Sequence, residues 1–494
     1  MLDSIRSLVP LRNTLWIALT ASIAAACEPV TSAPDSATSM PDASDVQAID
    51  SSDSAVDSGS VTEPPDANEP ADATTNADAT ASAPQRATLL RVGFYNQHMT
   101  VGRDQRLHLT FLDGAAERMH YATCERDCGT ERGWTVTQLL DVARLGTTTV
   151  GPYGIASDAS GRLHLVASAV PRVGQSAYSL MYGSCATACT TASNWTFVDL
   201  SALAPGRSLI GTNDTLMVHP SGSVSFLTAG TFDATRPAYL RCDANCTVAS
   251  QWRAVAPPSI NGNPLRAALD SAGVSHVLYS SGRTAAGDRL LQYARCASNC
   301  GEASSWQASM LGFLYSTNDW EAGFAIDAAD RLFITYNQGT TSQGVEVNRR
   351  YLVNSCAGAG CLALDTWSSV AVGTPDEGVG GAWVARRGAG LAMTTVSDFE
   401  VRVRTCDRDC ATAASWSASS VLDDNAAISA TINADTGTSC PGRSESAAWW
   451  PRMPVLAIND RGWAVVHNPS GLVRCPGTSS PTRVPNIARV LASF

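Results

Sequence analysis

Residues 158–195 read DASGRLHLVASAVPRVGQSAYSLMYGSCATACTTASNW, and both ends of this stretch recur along the chain. The near end is a turn, Asp158-Ala-Ser-Gly161, running into the apolar Leu163-His164-Leu165-Val166. The far end is a cysteine pair, Cys185 and Cys189, with Trp195 six residues after the second cysteine. The same offset joins Cys128 to Trp134, Cys246 to Trp252, Cys300 to Trp306, Cys361 to Trp367 and Cys410 to Trp416. Six copies at one offset, 49 to 61 residues apart, are a structural repeat.

The turn recurs as Asp270 to Gly273, with variants at His219 to Gly222, Asp327 to Asp330 and Asn459 to Gly462. Weaker copies lie at Gly102 to Gln105 and Ala385 to Gly388. Asp or Asn opening a turn and Gly closing it are the residues a tight hairpin needs. No stretch carries a convincing 3.6-residue period. Each unit therefore reads as strand A, turn, strand B, loop, strand C ending at the first Cys, short loop, and strand D beginning at Trp. Seven turns and six Cys–Trp elements predict an all-β fold, a seven-bladed β-propeller with a disulfide in most blades. In the second unit the strands are expected near 153–158, 163–168, 177–184 and 195–200. The seventh unit is expected to have strands near 453–459 and 463–468 and a C strand ending at Cys475. Its fourth strand is assigned to 486–493 in preference to Thr88–Phe94, which would close the ring by overlap.

The Asp/Gly turn resembles the Asp-box of sialidase-like propellers in all seven units. Here two residues rather than one separate Asp from Gly, and the following aromatic is mostly absent. The resemblance implies the fold, and turns that are structural and lie away from the active centre. The family's catalytic pattern, three arginines for a carboxylate and a Tyr–Glu nucleophile pair, has no match in this chain, so little chemistry carries over.

There are 15 cysteines. Close spacing pairs Cys124 with Cys128, Cys185 with Cys189, Cys242 with Cys246, Cys296 with Cys300, Cys356 with Cys361 and Cys406 with Cys410. Cys440 and Cys475 make a seventh pair and Cys27 is left over. Two nearby thiolates could ligate zinc, but each pair lacks a second pair or a His close by, so disulfides and no metal are expected. The odd thiol has its own context. Arg6 and Arg12 precede an apolar run, Leu15 to Ala26, too short to span a bilayer. Ile23-Ala24-Ala25-Ala26-Cys27 resembles a lipobox in which Ala24 replaces the usual Leu. The resemblance implies a lipoprotein signal peptide over 1–26 and acylation of Cys27. Glu28, rather than Asp, after Cys27 points to the outer membrane, with the domain facing the periplasm or the cell surface.

Residues 28–85 carry 12 acidic residues, no basic one and no aromatic. Such a segment cannot offset its ordering entropy by burial, so 27–86 is expected to be a lipid-anchored disordered linker and 87–494 the propeller. The linker and the first 27 residues account for the whole net charge of −11, leaving the propeller neutral. A neutral domain argues against nucleic acid as a partner. The chain has no Lys, which removes Schiff-base and lysine-base mechanisms. No cofactor is implied, and a monomer is expected.

The invariant Trp is read as packing, because a ligand contact would vary between blades. His108, His164 and His276 share a repeat position that Ser225, Phe333 and Ala464 fill elsewhere, so they too are read as structural. In a propeller the A–B turns and C–D loops share one face. Both repeated motifs fall there, and the B–C and D–A loops of the other face hold what is irregular. Binding residues concentrate in such loops. The candidates are Tyr153, Asp214, Asn261, Asn263, Tyr315, Asp319, Trp320, Glu321, Asp376, Glu377, Trp449 and Trp450. Aromatics among them suit sugar faces and protein interfaces. The expected function is a cell-envelope lipoprotein presenting a carbohydrate- or protein-binding module, without catalysis. A sialidase-like or other glycan-cleaving enzyme would need a converging carboxyl pair. An outer-membrane assembly scaffold is a further alternative.

Overall fold

The turns form as their residues require. In Asp158–Gly161 the Asp158 carboxylate accepts from the backbone N–H groups of Ser160 and Arg162, and Gly161 takes φ +86°. Asp270 and Asp327 hold their turns in the same way, and Asn459 uses its amide oxygen. The strands on either side then pair antiparallel. A computed structural model describes residues 85–90, 95–112, 118–145, 147–171, 179–203, 210–212, 214–229, 237–257, 262–283, 289–315, 322–342, 345–373, 382–397, 400–424, 448–473, 482–484 and 488–493. Cys27, Cys440, Cys475, the expected signal peptide and the linker to residue 84 lie outside the described residues.

These residues form a seven-bladed all-β propeller of seven antiparallel sheets. Blade II is built from Thr147–Ser157, Leu163–Pro171, Ser179–Cys185 and Thr196–Asp199, paired in that order. The innermost strands, in chain order, are Tyr95–Val101, Thr147–Ser157, Met217–Val218, Asn263–Leu269, Gly323–Ile326, Ala382–Arg387 and Ala448–Asn459. Each packs on the next and the last packs on the first, closing a ring around an axis.

There is one apolar core between each pair of neighbouring blades. Alternation along strand B feeds two of them. Leu163, Leu165, Ala167 and Ala169 face blade I, while Val166 faces blade III. The cysteine–Trp element belongs to the core shared with the preceding blade. Its disulfides are Cys124–Cys128, Cys185–Cys189, Cys242–Cys246, Cys296–Cys300, Cys356–Cys361 and Cys406–Cys410. A one-turn 3-10 helix, such as Ala192–Asn194, leads into the Trp. The indole N–H then donates back to the carbonyl of the second cysteine, at 2.8–3.1 Å in all six blades. That bond accounts for the fixed offset of six. The indole also meets a Tyr of the preceding blade edge-on or tilted: Tyr121–Trp195, Tyr182–Trp252, Tyr239–Trp306 and Tyr293–Trp367.

Blade VII corrects the expected closure. Gly462–Val473 is one continuous B strand that runs past the expected end near 468, and Cys475 lies outside the described residues. Its Asn468-Pro469-Ser470-Gly471 is held in the ladder against Trp449–Arg452. The C-terminal Ala488–Ser493 is the third strand, and the N-terminal Gln85–Leu90 pairs with it as the fourth. Strand B has one free edge, and Trp463–His467 gives it to Arg489–Ser493; the open edge of that strand then takes the N-terminus.

Candidate functional site in the central channel

The inner strands are irregular at one level. Blades I, II, IV and VII each carry a one-residue bulge, after which come His98, Gly154, Arg266 and Val455. A bulge re-aims the side chains that follow it. Blade III departs further. Its inner strand breaks between Gly211 and Met217, and Asp214 in the gap takes φ +53°. Thr212 and Thr215 fix this gap by donating their hydroxyls to the Leu227 carbonyl. The Asp214 backbone ties both neighbours. Its N–H donates to Tyr153 O of blade II (2.9 Å), and its carbonyl accepts from Ala267 N of blade IV (3.1 Å).

The Asp214 side chain thereby reaches towards the axis. His98 Nδ1–H donates to Oδ1 at 2.7 Å, and Arg266 Nε lies 3.6 Å from Oδ2. Arg266 also donates to Leu265 O and lies 4.7 Å over the Trp383 ring. The Trp383 indole N–H faces the carboxylate without a hydrogen-bond partner. His98 and Arg266 are buried, whereas 29% of the Asp214 side chain is exposed. Burial alone would raise the Asp214 pKa. The His98 and Arg266 interactions outweigh it and hold the carboxyl below its ordinary value. Burial lowers Arg266, against the opposing pull of Asp214.

A cavity of about 180 Å³ lies beside this group, lined by every blade: Met99, Ile155, Asp214, Arg266, Phe324, Trp383 and Leu456 among others. Gly154 and Gly323 bring the inner strands close at this level. A Cβ on Gly323 would meet Ala382 O at 2.5 Å, and one on Gly154 would meet Leu216 Cβ at 3.1 Å. Among the described residues Asp214 is the one carboxylate on the cavity wall.

Of the sequence candidates, Asp214 alone is in this group. Tyr153 is half-buried between blades II and III, against Gly211. Asn263 is exposed at the start of its strand. Tyr315 ends the outer strand Gln307–Tyr315, and Trp449 and Trp450 begin the inner strand of blade VII. Asn261, Asp319, Trp320, Glu321, Asp376 and Glu377 lie outside the described residues. His98, Arg266 and Trp383 escaped the sequence reading, although a signal was present. Counting back four residues from the turns at Gly102 and Asp270 reaches His98 and Arg266, and Trp383 lies two residues before the turn at Ala385.

The face of the turns carries a different repeat. His108, His164 and His276 hydrogen-bond the hydroxyls of Tyr121, Tyr182 and Tyr293 on the next strand, at 2.6–2.7 Å. The other ring nitrogen of His164 and His276 meets the turn carboxylate of Asp158 and Asp270. Each chain stays within its own blade. Among the described residues no three His, Cys, Asp or Glu side chains are grouped to hold a metal ion.

No protein-family profile and no curated protein matches the chain. Among solved structures it is similar to the polysaccharide lyase Uly1, at 8% identity and TM-score 0.45, over 81% of this chain and 90% of the lyase. An α-L-arabinanase of Penicillium chrysogenum, complexed with arabinobiose, aligns at 10% identity and TM-score 0.43, over 83% and 98%. A Hadza microbial sialidase aligns at 12% identity and TM-score 0.40, over 62% and 63%. The likeness to sialidase- and arabinanase-type propellers is one of fold alone.

Proposed function

We propose that this chain is an outer-membrane lipoprotein, anchored at Cys27, whose propeller binds a glycan or a surface protein through its B–C and D–A loop face. The direction of the closing strand carries this reading. Gln85 pairs with Ala492, which pairs with Ala464 next to the Asn459–Gly462 turn. The chain therefore enters the propeller on the face of the repeated turns, opposite the B–C and D–A loops. The setting of Asp214 favours binding over glycan cleavage. Glycoside hydrolysis uses a pair of carboxyl groups, and among the described residues Asp214, tied to His98 and Arg266, is the one carboxylate on the cavity wall.

Two experiments test the proposal. Cys27→Ser should move the protein from the membrane to the soluble fraction; retention in the membrane would refute the anchor. The soluble Cys27→Ser chain should then bind on glycan or surface-protein arrays. Trp320→Ala and Trp449→Ala should weaken that binding at least tenfold without changing the urea midpoint. Binding that survives both changes but is lost on substitution in the cysteine loops would place the site on the other face.

A further inference from the structure

Resting on that binding role, we infer that the channel cavity is a subsite for a single neutral hydroxylated ring, a sugar without an acidic group. The argument starts from the lone pairs of Asp214. A carboxylate offers about four acceptor sites. His98 faces one oxygen and Arg266 the other, and the part-exposed side chain retains acceptor capacity towards the cavity. The cavity thus asks for a hydrogen-bond donor.

Charge narrows the choice. Asp214 and Arg266 compensate each other across 3.6 Å. An anionic ligand would meet the carboxylate, and a cationic one would meet a guanidinium that is already fixed over Trp383. A neutral hydroxyl meets neither penalty. The wall narrows it further: Met99, Leu216, Phe324 and Leu456 set apolar groups into a lining whose exposed surface is mainly polar. A sugar ring matches this combination, with O–H groups at its rim and C–H groups on its faces. The cavity, about 180 Å³, has room for one sugar ring beside Asp214.

The test is saturation-transfer NMR on the full Cys27→Ser chain. The probes are methyl glycosides of glucose, galactose, mannose, rhamnose and arabinose, with methyl glucuronide and methyl sialoside as acidic controls. At least one neutral glycoside should bind, and the acidic ones at least tenfold more weakly. Asp214→Asn should weaken the neutral ligand at least tenfold. Leu216→Trp, which adds bulk to the cavity wall, should abolish binding in a protein that still unfolds in one cooperative urea transition. The inference is overturned if no neutral glycoside binds, if the acidic ones bind as well, or if Leu216→Trp binds like the parent chain. Array binding that persists in Leu216→Trp while no glycoside binds the parent would sink the subsite and leave the loop-face reading intact. Loss of neither signal in Trp320→Ala and Trp449→Ala would sink the loop face alone.

Discussion

Ala188, just before Cys189, has φ +48°. The equivalent residue is Asp127, Asn245, Asn299 or Asp409 in four other blades, all left-handed as well. Asn and Asp tolerate this region, whereas Ala has a Cβ and no compensating hydrogen bond. Ala188→Asn should therefore stabilise the protein by about 0.5–1 kcal/mol. The gain would show as a higher urea midpoint at unchanged slope, and a lower midpoint would mean the loop carries no strain. Single residues also mark what was legible in the sequence. Cys–Trp spacing could be read because a hydrogen bond from indole to carbonyl fixes it. The channel group was legible only in part: Asp214 was a candidate among the irregular loops, but its meeting with His98 and Arg266 was not, because the three come from three blades.

Among elements, those with a strong local signal were placed within a few residues. Blade II was expected at 153–158, 163–168, 177–184 and 195–200, and it forms at 147–157, 163–171, 179–185 and 196–199. The seam failed because strand pairing between distant segments leaves no local mark. The seam makes a prediction of its own. A chain shortened to begin at Gln85 should unfold like the full chain. One shortened to begin at residue 91 bares the edge of Ala488–Ser493, a template for pairing with other chains. It should unfold at lower urea and self-associate in sedimentation; equal behaviour of the two would mean the N-terminal strand is dispensable. The disulfides are local elements as well. Each closes a loop of about five residues, worth about 2 kcal/mol in the chain-entropy model. Non-reducing peptide mapping should recover the six pairs together with Cys440–Cys475, and free thiols at these positions would contradict it.

For the whole molecule, seven cores hold the ring together and buried histidines set its acid limit. Burial lowers His108 and His219 to about 4, and also lowers His164 and His276. In the unfolded chain a His titrates near 6.5. The unfolded state thus binds protons that the native state refuses. Stability is complete above pH 6.5 and falls as pH drops towards 4, by on the order of 2 kcal/mol at pH 5 for each of His108 and His219. Urea midpoints should decline from pH 7.5 to 5. His108→Phe, the residue that Phe333 supplies in blade V, should flatten that slope by one proton, and an unchanged slope would remove His108 from the account. One consequence of the seam concerns drag. A pull on the tether runs along Gln85–Leu90 and loads its whole ladder in shear, all rungs at once, instead of peeling it open from one end. We expect a single abrupt rupture in single-molecule pulling from residue 84, and a gradual low-force opening would contradict it. The seam strand, held by hydrogen bonds alone, is then the point at which the fold parts under tension, ahead of the disulfide-stapled blades.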